Sequence, residues 1–205
     1  MKIGIFGGSF DPVHIGHTEL AKQAVESGIV DKVIFVPAAN QPFKLDRKMA
    51  DGYERLKMIE IAIDGIPYLE VSDYELARPD DVSYTINTLN GMRSEYADDE
   101  IFFITGADSF LMIHKWTRPE EILENFPIIV GLRPGYKEED IAIQERELVE
   151  KYGARVYKLE NDLVDISSTE LREAILQGKL GEETPANSYI SKKVRDYIVE
   201  QRVYN

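Results

Sequence analysis

The chain has 205 residues and a formal net charge of −13, from 24 Lys+Arg against 37 Asp+Glu. A balance this acidic, with no long basic stretch, argues against duplex nucleic acid or an anionic membrane as partner, because Lys and Arg must neutralise phosphates there. The absence of cysteine excludes disulfides, Cys-bound zinc and thiol nucleophiles, and the 43% of apolar residues suits a packed globular chain.

Strand and helix patterns alternate along the chain. Lys2–Phe6 (KIGIF) predicts a buried strand ending in a tight Gly7-Gly8 turn. Ile15 to Ser27 predicts a helix with Leu20, Ala21, Ala24 and Val25 on one face and Gly28 as its C-cap. Lys32–Pro37 predicts a second strand. Residues 38–49 predict a loop carrying Lys44, Arg47 and Lys48. Ala50–Asp64 predicts a helix with Leu56, Ile59, Ala62 and Ile63 inward, and Tyr68–Ser72 a strand. Ser83–Glu95 predicts a helix. Glu100–Thr105 (EIFFIT) predicts a strand that ends in Gly106-Ala107-Asp108. Pro119–Glu124 predicts a helical turn, and Pro127–Leu132 a strand closed by Arg133-Pro134-Gly135. Glu138–Tyr152 predicts a charged helix, and Arg155–Leu159 a last strand. Helices about Ser168–Gln177 and Ser188–Glu200 follow.

This alternation predicts an α/β fold: a Rossmann-like, doubly wound, mostly parallel sheet with helices on both faces. A single domain over residues 1–205 is expected, with a small helical part from about 166 to 205. No apolar run approaches the roughly 18–20 residues of a membrane span, and MKIGIFGGSFDP is too short and Gly-rich for a signal peptide. The expected setting is cytoplasmic.

Ligands of open α/β sheets sit at the carboxyl ends of the strands. The first strand runs into GGSFDPVHIGH, residues 7–17. This run is neither a Walker A loop nor G-x-G-x-x-G, so the usual kinase and dinucleotide motifs are missing. Glycines allow close backbone approach to an anion, and a helix start near Ile15 favours phosphate. His14 and His17 share one face of the first helical turn. Two of the chain's 3 histidines thus fall where phosphate chemistry is expected. The same pair on a surface helix elsewhere would read as ordinary capping residues.

GGSFDPVHIGH resembles the HxGH signature of the nucleotidyltransferase superfamily of adenylyl- and cytidylyltransferases. The resemblance implies that His14 and His17 contact ATP phosphates and stabilise the transition state. It also implies phosphate binding by Gly7, Gly8, Ser9 and Phe10. Near the other end, ISSTELR (Ile166 to Arg172) fits a helix-capping box at Ser167 and Glu170. It also resembles the superfamily's ISST-x-x-R element. That implies ATP contacts from Ile166, Ser167, Ser168 and Thr169 and a catalytic Arg172 that embraces the triphosphate.

The middle of the chain resembles the nicotinate-nucleotide adenylyltransferase family. Ser83 to Leu89 (SYTINTL) is similar to that family's SYTxDTL, with Asn87 in place of the aspartate. Gly106-Ala107-Asp108 followed by Trp116 is similar to its G-x-D…W element, and Leu132 to Gly135 to its RPG segment. Pro42-Phe43-Lys44 is similar to its P-H-K, with Phe43 in place of the histidine. The resemblance spans residue 3 to about 175. It implies ATP contacts at Gly106 and Asp108. It also implies mononucleotide contacts at Lys44, Thr85, Trp116 and Arg133. An indole face suits a positively charged pyridine ring, and the Thr85 hydroxyl suits a carboxylate. A solvated charge at Lys44 and a strand-end role for Arg133 remain open.

The implied reaction transfers the adenylyl group of ATP to nicotinate mononucleotide, giving nicotinate adenine dinucleotide and pyrophosphate in NAD biosynthesis. Mg2+ is expected to ride on the ATP phosphates, with no protein metal site. No nucleic acid polymer or membrane is expected as partner, and the sequence leaves monomer and homo-oligomer both open. Nicotinamide mononucleotide or phosphopantetheine as acceptor, and a regulator without catalysis, are the alternatives.

Overall fold

The structure, a computed structural model, describes residues 1–40, 49–132, 135–159, 167–177 and 188–204. Six strands form one sheet: β1 (Lys2–Gly8), β2 (Lys32–Pro37), β3 (Leu69–Val71), β4 (Glu100–Gly106), β5 (Ile128–Gly131) and β6 (Val156–Leu159). Every neighbouring pair is parallel, and the spatial order is β3-β2-β1-β4-β5-β6. This is the doubly wound order whose direction of winding reverses between β1 and β4. The expected α/β class is the observed one.

Parallel strands are buried on both sides and read as continuous apolar runs. Their side chains still alternate between two cores. Ile3, Ile5, Ile34, Val36, Ile101 and Phe103 face one side, with Ile86, Leu89, Phe110, Ile122 and Leu148. Phe6, Val33, Phe35, Phe102 and Ile104 face the other, with Leu20, Ala24, Met58, Ile59, Val194 and Ile198. Gly4 lies on that second face, where a Cβ would stand 2.6 Å from the Ile104 side chain.

The helices are α1 (Ile15–Glu26), α2 (Gly52–Ile63), α3 (Thr85–Glu95), α4 (Ala107–Met112), α5 (Pro119–Asn125), α6 (Glu138–Tyr152), α7 (Ser168–Leu176) and α8 (Lys192–Gln201). Four local expectations need correction. The Gly7-Gly8 turn is strand: both residues stay in register with Val36 and Pro37, and the Ala38 N–H donates to the Gly8 carbonyl at 2.9 Å. The inward face of α2 is Arg55, Met58, Ile59 and Ile63, while Leu56 and Ala62 are only partly buried. α3 begins at Thr85, because the Ser83 hydroxyl accepts the Ala39 and Asn40 N–H groups and holds that residue to the end of β2. α4 follows β4 directly, a short helix that the pattern does not predict; it buries Ala107 and Phe110, three residues apart. No helix among the described residues is long and apolar enough to cross a membrane.

Candidate active site

The carboxyl ends of β1 and β4 lie side by side, so the loop after Gly8 and the helix that starts after Gly106 leave the same edge of the sheet. After β1 the chain makes a cis Asp11-Pro12 bond and enters α1 with His14 as N-cap. Phe10 adopts φ 46°, the left-handed region that non-glycine residues avoid. Its buried ring packs on Phe6, Phe35 and His17, with centroids 5.4, 5.4 and 5.0 Å away. A Cβ on Gly8 would meet that ring at 3.0 Å, so glycine there lets the aromatic fold back beneath the loop.

The two histidines sit ring to ring, with centroids 3.7 Å apart. The His14 N–H donates to His17 Nδ1 at 3.2 Å. Nδ1 is therefore the acceptor nitrogen of His17, and the proton of the neutral ring resides on Nε2. That tautomer offers an N–H donor to an anion. Gly16 leaves room for the close-lying His14 ring, since a Cβ there would stand 3.0 Å from it. The Ile15 N–H at the start of α1 is already bonded to the Tyr189 carbonyl at 2.8 Å. The helix start is thus tied to the C-terminal region, and its first donor does not reach outward.

The ISST helix closes on the same loop. Ser168 Oγ donates to the Pro12 carbonyl at 3.0 Å. Arg172 donates to the Asp11 carbonyl at 2.8 Å and to its carboxylate at 3.0 Å. Ser167 makes the expected capping box with Glu170. So Ser167, Ser168 and Arg172 are engaged within the protein, and Arg172 retains only 13% side-chain exposure. Two elements some 150 residues apart in sequence become one structure.

Three residues absent from the sequence-based site hold it together. Asp11 is 1% exposed. Its Oδ1 accepts the Ala50 N–H at 3.1 Å and the Tyr204 hydroxyl at 2.8 Å, and its Oδ2 accepts Arg172. Arg55 is 2% exposed and donates to the carbonyls of Ala50, Ser9 and Ala38 at 3.1, 2.7 and 2.7 Å. Burial pulls its guanidinium below the ordinary value, and the nearby Asp11 charge opposes that. Arg55 was detectable: it lies on the helical stripe of Met58, Ile59 and Ile63, where a charge demands a reason. Nothing in the sequence paired Tyr204 with Asp11.

On the β4 side, Gly106 caps α4 and the exposed Asp108 stands in its first turn. A Cβ on Gly106 would lie 2.9 Å from the Asp108 carboxylate, so the acid folds back over the helix start. Thr85 opens α3 and is partly buried. Trp116 is partly buried too, its ring 5.9 Å from Phe103 in an edge contact. The two are linked through neighbours: Arg118, in the left-handed region, donates to Asn87, and Asn90 donates to Glu121 at 2.7 Å. Lys44, Arg133 and Ile166 lie outside the described residues. Among the described residues no group of three or more His, Cys, Asp or Glu could hold a metal ion.

A doubly wound parallel sheet whose HxGH and ISST helix starts are joined at the switch point is the arrangement of a nucleotidyltransferase. The chain belongs to the Cytidylyltransferase-like family, whose model matches residues 5–174, and within it to the nicotinate-nucleotide adenylyltransferases. A curated relative from Carboxydothermus hydrogenoformans, named "Probable nicotinate-nucleotide adenylyltransferase", is 38% identical over 203 residues, 99% of this chain and 98% of the relative. One of the same name from Clostridium tetani is 36% identical over 178 residues, 87% of this chain and 88% of the relative. Among solved structures, the nicotinic acid mononucleotide adenylyltransferase of Plasmodium falciparum complexed with NaAD shares the fold with a TM-score of 0.78. It is 20% identical, over 99% of this chain and 97% of that one.

Proposed function

We propose that the protein transfers the adenylyl group of ATP to nicotinate mononucleotide, in the cytoplasm. The mononucleotide phosphate oxygen forms a bond to the α-phosphorus, the bond from that phosphorus to the bridging oxygen breaks, and pyrophosphate leaves. No covalent enzyme intermediate is required. Catalysis is then positioning plus stabilisation of the charge that develops on the phosphoryl oxygens. His14 and His17 supply imidazole donors. Arg172 supplies a cation already fixed in place by Asp11. The backbone from Gly7 to Phe10 and the Ser167–Thr169 turn border the phosphates. Mg2+ enters with the substrate as MgATP and lowers the charge that the protein must meet. Gly106 and Asp108 face the ribose side of ATP. Thr85 and Trp116 receive the pyridine ring and its carboxylate, and further mononucleotide contacts are assigned to Lys44 and Arg133 on the family resemblance of their sequence segments.

The observation that carries this reading is the junction of Ser168 with Pro12 and of Arg172 with Asp11. It joins both signature elements at the end of β1. The test is incubation with ATP, Mg2+ and a panel of nicotinate mononucleotide, nicotinamide mononucleotide and phosphopantetheine, with products identified by mass. Nicotinate adenine dinucleotide and pyrophosphate are expected as the dominant products. Preference for another acceptor would reassign the pocket, and no adenylylated product from any acceptor would leave a nucleotide-binding regulator.

A further inference from the structure

The Asp11 carboxylate gathers donors from three distant stretches of chain: the Ala50 N–H before α2, Arg172 in α7 and the Tyr204 hydroxyl beyond α8. At 1% exposure this carboxylate has no surface with which to touch a substrate. It acts as a post inside the loop. His14 lies three residues on, the strained Phe10 one residue back, and Ser9 is gripped by Arg55. A buried carboxylate needs all its acceptor sites filled to stay in one geometry.

The tail reaches that post by a specific route. α8 buries Val194 and Ile198 and is fastened to α2 by Tyr197, whose hydroxyl donates to Glu54 at 2.6 Å. Arg202 then takes the left-handed conformation, and the Val203 N–H returns to the Ile198 carbonyl at 3.1 Å. This reversal sends Tyr204 back towards β1. Burial, with the Asp11 charge next, raises the Tyr204 phenol far above its ordinary value, so it remains a donor.

We propose that Tyr204 is a positioning residue for the transfer reaction: through Asp11, the last residues of the described chain hold His14, His17 and Arg172 in register with the ATP phosphates. The inference rests on the adenylyl-transfer reading above. Loss of the hydroxyl leaves Oδ1 with one donor, and the loop between β1 and α1 loosens where small displacements are costly.

The test compares Tyr204→Phe with Tyr197→Phe in the full chain. Both delete one tail hydroxyl that donates to a carboxylate, and only one of them touches the loop. Tyr204→Phe is expected to lower kcat roughly 5- to 20-fold, the effect of a sub-ångström misplacement, with the KM for nicotinate mononucleotide unchanged. Both variants are expected to lower the melting temperature by similar amounts, and Tyr197→Phe to leave kcat within about twofold, as a bond remote from the loop should. An unchanged kcat in Tyr204→Phe, or equal losses of kcat in both variants, would overturn the inference while the active parent protein keeps the reaction reading intact. A parent protein that forms no adenylylated product overturns the reaction reading, and this inference with it.

Discussion

The loop between β1 and α1 and the surface around Thr85 and Trp116 are held in different ways. Around the loop, the fixing groups are buried and multiply bonded. Asp11 accepts three side-chain or backbone donors, Arg55 grips three carbonyls, and Phe10 is locked under Gly8. Around Trp116 the links run through exposed or half-exposed side chains, from Asn87 to Arg118 to Glu121 to Asn90. Preorganised groups act on the transition state, whereas adaptable ones act on substrate binding. The difference predicts that damage to the loop lowers kcat and that damage near Trp116 raises the KM of the acceptor.

His17→Ala should produce the largest effect. Loss of one transition-state donor lowers kcat by roughly 10²–10³-fold, read from steady-state kinetics at saturating ATP. Near-normal turnover would remove the loop from catalysis and dissolve the contrast. Gly16→Ala comes next, because it separates positioning from stability. The new methyl would press on the His14 ring, which is already stacked on His17. The expected result is a kcat about 10-fold lower, again the scale of a small misplacement, at an unchanged melting temperature. A variant with full activity would mean that the two rings need no fixed stacking. Trp116→Ala tests the other half. Loss of a stacking face worth about 1–2 kcal/mol raises the KM for nicotinate mononucleotide by roughly 5- to 30-fold and changes the KM for ATP much less. A larger effect on ATP would move the pyridine pocket elsewhere.

The contrast also explains what the sequence could reveal. Strand periodicity, helix starts and the two phosphate signatures are local, and local patterns place β1, α1, β4 and α7 within a residue or two. The partnerships between them are not local. The ring of Phe10 folding under Gly8, the Ile15 N–H meeting the Tyr189 carbonyl and Tyr204 meeting Asp11 each depend on tertiary geometry that no spacing encodes. Arg55 is the intermediate case. Helical periodicity puts a charge on an apolar stripe, which flags a buried partner without saying that the partners are three carbonyls. The chain's acidity looks hostile to phosphate only as a sum. All the excess acid lies between residues 50 and 150, while the signature elements at either end combine two imidazoles with the Arg172 cation.

Asn87→Asp gives the smallest effect and the finest test of the comparison. Asn87 is the third residue of α3, a helix with no acidic side chain in its first turn. An acid there interacts favourably with the helix dipole. It also meets Arg118, which already pairs with Glu121 at 3.1 Å and is 46% exposed, so solvent screens most of the added attraction. Together these terms stabilise by about 0.5–1 kcal/mol, a rise of roughly 1–4 °C in melting temperature for a chain of this size. If the acceptor half is as loosely coupled as its exposed side-chain links indicate, the KM for nicotinate mononucleotide changes less than about threefold, within the range of a screened surface charge. A rise beyond tenfold would show that position 87 shapes the field at the carboxylate pocket. Recognition of the acceptor would then depend on charges fixed as firmly as those around Asp11.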